Sequence, residues 1–239
     1  MWDENYALAE LPDDQETEEE LDFIDSVLEL NDGSIILDLC CGEGRHAREL
    51  AESEYNVIGL DSSRELLDIA IKSSDIDNLH FIEGDMRNIP LKKNSCHAVI
   101  NMFTSFGFFD DEGNLDVIKS VASVLKAKGR FLIDYWNPYV SAQLDGTKNW
   151  WWVDEKVLAL AHARYDFDTG RMQDTRIMID FRNGSMRDSV RDIRFYTLPE
   201  LEKMLKSADM KIMDVFGDID GREYDANSRR LMVLSEKTK

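Results

Sequence analysis

Ile35-Ile36-Leu37-Asp38-Leu39-Cys40-Cys41-Gly42-Glu43-Gly44-Arg45 is the stretch whose reading decides the fold. The apolar run over 34–39 reads as a buried strand. It passes directly into a glycine-rich bend and then into a helix expected over 45–53. Glycine lets the backbone take positive φ and leaves room for a ligand against it. In open α/β sheets, ligands sit beyond the carboxyl ends of the strands, where strand order reverses.

Upstream, Leu21, Ile24, Val27 and Leu28 predict a helix over 18–30 with one apolar face, ended by Asn31-Asp32-Gly33. Downstream, strands are expected over 56–60, 79–82, 98–103 and 130–135. Helices are expected from a Ser62 or Ser63 cap to about 73, and over 113–127. Strands alternating with helices imply a parallel sheet covered on both faces.

The pattern changes after residue 136. Over 150–196 there is no helical period, and 157–167, 171–181 and 185–195 read as strands. Asp168-Thr169-Gly170 and Asn183-Gly184 are hairpin turns between them. Thr197-Leu198-Pro199-Glu200 then starts a helix that ends near Ala208. Strands over 210–215 and 230–234 follow with no helix between them, so they can pair antiparallel. The expected fold is α/β: a Rossmann-like, seven-stranded, mostly parallel sheet with helices on both faces and an antiparallel last strand. An antiparallel β meander is inserted in it. The expected division is a core part at 1–136, an inserted subdomain for substrate binding or oligomerisation at 137–196, and the rest of the core at 197–239.

Composition narrows the function. The chain has 239 residues, with 28 Lys and Arg against 48 Asp and Glu, giving a net charge of −20. Such acidity repels phosphate backbones and anionic membrane surfaces, so neither nucleic acid nor membrane is expected as a partner. Three cysteines, Cys40, Cys41 and Cys96, have no metal-ligand spacing, and the odd count points to a reducing compartment. No metal is expected. With no signal-like segment and no apolar run of spanning length, a cytoplasmic chain is expected.

The glycine bend is ambiguous by itself. Gly42-x-Gly44-x-x-Ala47 also fits a dinucleotide fingerprint, and Asp61 at the end of the second strand could hold ribose hydroxyls in either reading. Three features favour a cationic sulfur nucleoside. Asp38 just before the bend suits an ammonium and a sulfonium and repels a pyrophosphate. Gly84-Asp85-Met86 offers an acceptor to an adenine amino group. The chain also closes with a helix-free strand pair where dinucleotide folds continue with crossovers.

With Gly59-Leu60-Asp61, Gly84-Asp85-Met86 and a hydrophobic fourth strand, this order resembles the class I S-adenosylmethionine-dependent methyltransferases. It is closest to a prokaryotic methyltransferase-domain group. The marks of that group appear here as Glu19-Glu20-Leu21-Asp22-Phe23-Ile24, Phe103-Thr104-Ser105-Phe106-Gly107-Phe108-Phe109, Tyr196-Thr197-Leu198-Pro199-Glu200-Leu201 and Gly217-Asp218-Ile219-Asp220-Gly221. The resemblance spans nearly the whole chain. It implies S-adenosylmethionine as cofactor, with Asp38 and the backbone of Cys40, Gly42 and Gly44 at the methionine end. It implies Asp61 with Ser62 at the ribose, Asp85 and Met86 at adenine, and Asn101, Met102 and Phe103 under the sulfonium. Tyr6 would close over the cofactor. The implied reaction is methyl transfer to nitrogen or oxygen of a small molecule, by a monomer or homodimer. A nicotinamide-dependent oxidoreductase and a non-catalytic binding module are the competing readings.

No catalytic base stands out. His46 is expected to pack or face solvent. Phe106, Tyr135, Trp136, Trp151 and Tyr165 are candidate walls of the acceptor pocket. Against that, Trp150, Trp151 and Trp152 can simply anchor the meander on the sheet. The seven arginines from Arg164 to Arg194 are expected to form cross-strand ion pairs. The acidic run 13–20 is expected to be a solvated helix entry.

Overall fold

A computed structural model describes residues 14–239. Helix α1 (Asp14–Leu28) precedes strand β1 (Ile35–Leu39), helix α2 (Arg45–Glu52), strand β2 (Asn56–Asp61), helix α3 (Arg64–Lys72) and strand β3 (Leu79–Glu83). After a short 3-10 turn come β4 (Cys96–Asn101), α4 (Asp111–Val124) and β5 (Leu125–Trp136). Helix α5 (Pro138–Ala142) leads into β6 (Lys148–Asp154), β7 (Val157–Asp166), β8 (Arg171–Asp180) and β9 (Ser185–Arg194). Helix α6 (Leu198–Ser207), β10 (Met210–Phe216) and β11 (Arg230–Lys237) complete the chain.

The main sheet has seven strands in the order β10-β11-β5-β4-β1-β2-β3. β1 runs parallel to β2 and β4, and β5 runs parallel to β4. β11 alone is antiparallel to its neighbours β5 and β10, as the helix-free connection predicts. The order reverses between β1 and β4, which sets the ligand crevice there.

Alternation along the strands splits the core across two faces. Ile36, Ile100 and Leu132 pack with Ile24, Leu28, Ala47 and Leu50 on one side. Leu37, Val99, Phe131 and Ile133 pack with Ile118, Val121, Leu201 and Leu205 on the other. Each such side chain, fully buried, contributes about 1.5–3 kcal/mol. Arg130 caps α1 by donating to the carbonyls of Val27 and Leu28 at 2.9 and 2.8 Å. A cation belongs at that helix end.

Two boundaries differ from expectation. Helix α4 stops at Val124, and β5 begins at once with Leu125 paired to Cys96. A left-handed Lys128, φ 62, marks the irregularity that lets the strand regain register at Arg130. The meander has four strands instead of three, in the order β6-β7-β8-β9. Its extra strand is the tryptophan segment itself.

This second sheet is joined to the core through aromatic packing. Phe195 stacks on Tyr135 with centroids 6.2 Å apart, and Tyr196 meets Phe106 at 5.7 Å. The Tyr135 hydroxyl donates to the Tyr196 carbonyl at 2.7 Å. The Arg194 amide donates to the Gly107 carbonyl at 2.8 Å. Gly107 has φ +102, and a Cβ there would stand 2.3 Å from the Arg194 carbonyl oxygen. Gly107→Ala is therefore expected to destabilise the protein by about 2–4 kcal/mol, from a forced backbone and an overpacked contact. Denaturant unfolding checks this; an unchanged midpoint would contradict the docking account.

Candidate active site

At the end of β1 the chain turns sharply. Cys40 takes a left-handed φ of 66, and the amides of Cys40 and Cys41 both donate to the Leu60 carbonyl, at 2.7 and 3.0 Å. Asp61 pins the turn from the end of β2. Its carboxylate accepts the Gly42 amide at 2.9 Å and the Ser63 amide at 2.8 Å. A carboxylate has about four acceptor positions, so capacity for a ligand remains. Gly44, φ 81, is the N-cap of α2. A Cβ there would meet the Phe81 ring at 2.7 Å, so Gly44 serves close packing of the turn and is not part of the cavity wall.

Asp38 is 2% exposed, and its Oδ2 is buried with no hydrogen-bond partner. Burial pushes its pKa up to about 7; Arg45 opposes this rise and Asp61 adds to it. Asn101, at the end of β4, donates to the Leu39 carbonyl at 2.8 Å and ties the two strand tips together. Its Oδ1 is also buried without a partner. Phe103 and Thr104 follow, both left-handed, with φ 56 and 59. Asp134 holds them: its carboxylate accepts the Phe103 amide at 2.9 Å and its carbonyl accepts the Thr104 amide at 3.1 Å.

Behind this floor lies a chain of buried charges. Arg230 reaches Asp134 at 3.2 Å and Glu20 at 2.9 Å. Glu20 also takes Arg45 at 2.6 Å and His46 at 2.9 Å. Burial opposes the Glu20 charge, but the His46 hydrogen bond and the charges around it hold its carboxyl well below the usual range. Burial pushes His46 down to about 4, so its ring is neutral at pH 7. The acidic run is thus not simply a solvated entry, since Glu20 is completely buried. The sequence carried a signal for it, as Glu20 falls on the same helical face as Ile24.

A cavity of about 890 Å³ opens over the turn and extends to the inserted sheet. Asp38, Cys40, Gly42, Asp61, Ser62, Met86, Met102 and Phe103 line one end. Trp136, Trp151, Asp174, Arg176 and Arg191 line the other. Asp85 stands outside the lining; its carboxylate accepts the Arg87 amide at 2.8 Å and pairs with the Arg87 guanidinium at 2.6 Å. Asn101 lies beneath the lining, and Tyr6 lies outside the described residues.

Three acceptor-wall expectations are corrected. Phe106 and Tyr135 are almost fully buried in the core, where they carry the inserted sheet. Tyr165 packs edge-on against Phe167 at 5.1 Å, away from the cavity. Hydrophobic packing claimed these rings. The tryptophans do the reverse of anchoring: Trp150 and Trp152 are 63% and 53% exposed, and Trp151 faces the cavity. Strand alternation sends Trp151 to the face opposite its neighbours. The ion pairs form as expected, with Arg171 on Asp192 at 2.5 Å. One set faces the cavity: Arg176 and Arg191 hold Asp174 at 2.8 and 2.6 Å, and Arg176 lies 5.4 Å from the Trp151 ring centroid. Among the described residues, no cluster of His, Cys, Asp and Glu is arranged to hold a metal, and no helix is long and apolar enough to cross a membrane.

Residues 36–129 match the family described as "Methyltransferase domain". The chain is 27% identical to dTDP-3-amino-3,4,6-trideoxy-alpha-D-glucopyranose N,N-dimethyltransferase of Streptomyces venezuelae, over 80% of this chain and 81% of that one. It is 24% identical to the cypemycin N-terminal methyltransferase of a Streptomyces species, over 86% and 84%. Its fold matches the S-adenosylmethionine-bound amino pentose methyltransferase CalS10 of Micromonospora echinaspora. That match has a TM-score of 0.73 at 20% identity and covers 98% of this chain and 95% of the other. Together these findings support a class I S-adenosylmethionine-dependent methyltransferase, with the family match running over residues 36–129. S-adenosylmethionine is accordingly its cofactor.

The Asp38 environment is directly measurable. A carboxyl whose folded pKa lies above its unfolded value is stabilising at low pH, and that contribution is lost as pH rises from about 4 through 7. Asp38→Asn is expected to raise stability at pH 8 by roughly 1–4 kcal/mol, with no gain at pH 4. Denaturant unfolding at the two pH values checks this, and an equal effect at both would contradict it.

Proposed function

We propose that this chain transfers a methyl group from S-adenosylmethionine to a nitrogen or oxygen of a small-molecule acceptor held against the inserted sheet. The observation that carries this reading is the continuity of one cavity from the glycine turn to Trp151, Asp174 and Arg176. Its volume lies at the upper end of the ~300–1,000 Å³ usual for ligand sites, which suits cofactor and acceptor together. Both relatives are named for nitrogen acceptors, and the one named for an amino sugar supports the choice of a small polar acceptor.

The residues fit the cofactor chemically. Asp38 offers an unpartnered buried oxygen to an ammonium. Asp61 keeps acceptor capacity for ribose hydroxyls beside Ser62. The backbone of Cys40 and Gly42 would lie along the methionine end, its amides held by Leu60 and Asp61, with Gly44 packing the turn from behind. Met86 would cover adenine, with Asp85 at its edge, and Met102, Phe103 and Asn101 would floor the sulfonium. Tyr6 is assigned as the cover. When bound, the cofactor supplies a methyl on a positively charged sulfur, already a strong electrophile.

The protein then has mainly to place the acceptor atom in line and keep water out. Such positioning supplies about 7–11 kcal/mol of a barrier. The faces of Trp151 and Trp136 suit a cationic or flat acceptor group. In this reading residues 1–136 and 197–239 form the catalytic core and 137–196 the acceptor module. The acidity of the chain disfavours nucleic acid as acceptor.

Incubation of the protein with labelled cofactor and a metabolite extract is expected to give a labelled small product. Label found only on nucleic acid or protein would contradict the reading. Asp61→Ala is expected to weaken S-adenosylhomocysteine binding about 10–100-fold by calorimetry. Trp151→Ala is expected to raise the acceptor KM and leave that affinity unchanged. A loss of cofactor affinity on removing Trp151 would contradict the two-ended cavity.

A further inference from the structure

The inserted sheet has two faces, and the cavity uses one of them. Alternation along the strands places Trp151, Ala161, Asp174 and Arg176 on that inner face. Pairing across the strands sets Trp152, Leu158, Ile179 and Met186 in one row on the outer face. Trp150, Leu160 and Ile177 form the next row. Phe181, just past β8, extends the first row, its ring centroid 5.7 Å from that of Trp152. Trp150, Trp152, Phe181 and Met186 are 63%, 53%, 58% and 69% exposed.

Monomeric proteins rarely leave a contiguous apolar patch of more than a few hundred Å² in water. Taking ~150–250 Å² for a whole aromatic side chain, the rings of Trp150, Trp152 and Phe181 alone expose on the order of 400 Å² in each copy. With Met186 and the half-buried leucines and isoleucines between them, two such faces supply roughly the 1,200 Å² at which specific interfaces begin. A flat apolar sheet is best matched by another sheet of the same width and twist, and a second copy of this chain offers one.

The face is also complementary to itself. β6 and β9 are the two edge strands of the sheet. A two-fold axis running along the strands lays β6 of each copy over β9 of the other and keeps the rows in step. Trp152 of one copy then meets Met186 of the other, a ring against a flexible thioether. Lys148 of β6 and Asp188 of β9 lie on the same outer face, one alternation apart along the strands, so each lysine falls near the other copy's aspartate. The net charge of −20 disfavours an anionic membrane as the occupant.

We propose that the outer face of the inserted sheet is a homodimer interface, in which two copies stack sheet on sheet about a two-fold axis along the strands. The interface backs the wall on which Trp151 stands, so the edge strand β6 is held from behind by the second copy.

Sedimentation velocity on the full chain tests this. The wild-type protein is expected to run at twice the mass of the chain at about 10 μM. Trp152→Glu and Met186→Glu are each expected to weaken dimerisation at least about 100-fold. Circular dichroism establishes that these variants are folded. Should they not fold, the charge swap decides: Lys148→Asp alone is expected to weaken the dimer about 5–10-fold, and Lys148→Asp with Asp188→Lys to restore it. A wild-type chain that is monomeric at about 100 μM would overturn the proposal, as would a monomer that cosediments with phosphatidylcholine vesicles. A dimer that survives both glutamate substitutions would overturn the assignment to this face, and a swap that restores nothing would overturn the axis.

Discussion

Buried charge, held by other buried charge, is the constraint on which this structure depends. Arg45, Glu20, Arg230 and Asp134 run in one line from the start of α2, through α1 and β11, to β5. Asp134 then fixes the strained backbone of Phe103 and Thr104 at the tip of β4. Removing such ions from water costs several kcal/mol each, and removing one partner strands the rest. Apolar packing of the same elements would be no less stable. What the network adds is position: it sets the first turn of α2 and the floor of the crevice relative to each other.

The crevice itself follows from topology. β1 and β4 are neighbours whose connections leave in opposite directions, so their carboxyl ends face an opening that no crossover fills. The glycine turn supplies close approach, and Asp61 locks it from the adjacent strand. The inserted sheet completes the enclosure. Its attachment uses Phe106, Tyr135, Phe195 and Tyr196, which leaves Trp151 and the Asp174 ion pairs to face inward.

Much of this was legible in the sequence because it is local. The strand, bend and helix around Gly42 and Gly44 are set by neighbours, as are the hairpin turns and the cap at Thr197. Asp38 and Asp61 were legible as acids at strand ends. What the sequence concealed depends on long-range pairing. Glu20 and Arg230 are 210 residues apart, and nothing in either segment announces the other. Phe106 and Tyr135 differ from expectation for a related reason: they and Trp151 are alike as aromatic residues in the sequence, and only packing separates a core ring from a cavity wall. The cavity role of Trp151 had a local signal in the exposed-inward-exposed alternation of the tryptophan strand.

A crystal structure of the complex with S-adenosylhomocysteine tests the central claim most directly. The account predicts the amino-acid end of the ligand at Asp38, its ribose at Asp61, and the space before Trp151 and Arg176 open for an acceptor. Density for the ligand away from the β1–β4 crevice, or a nucleoside seated against the inserted sheet, would contradict it.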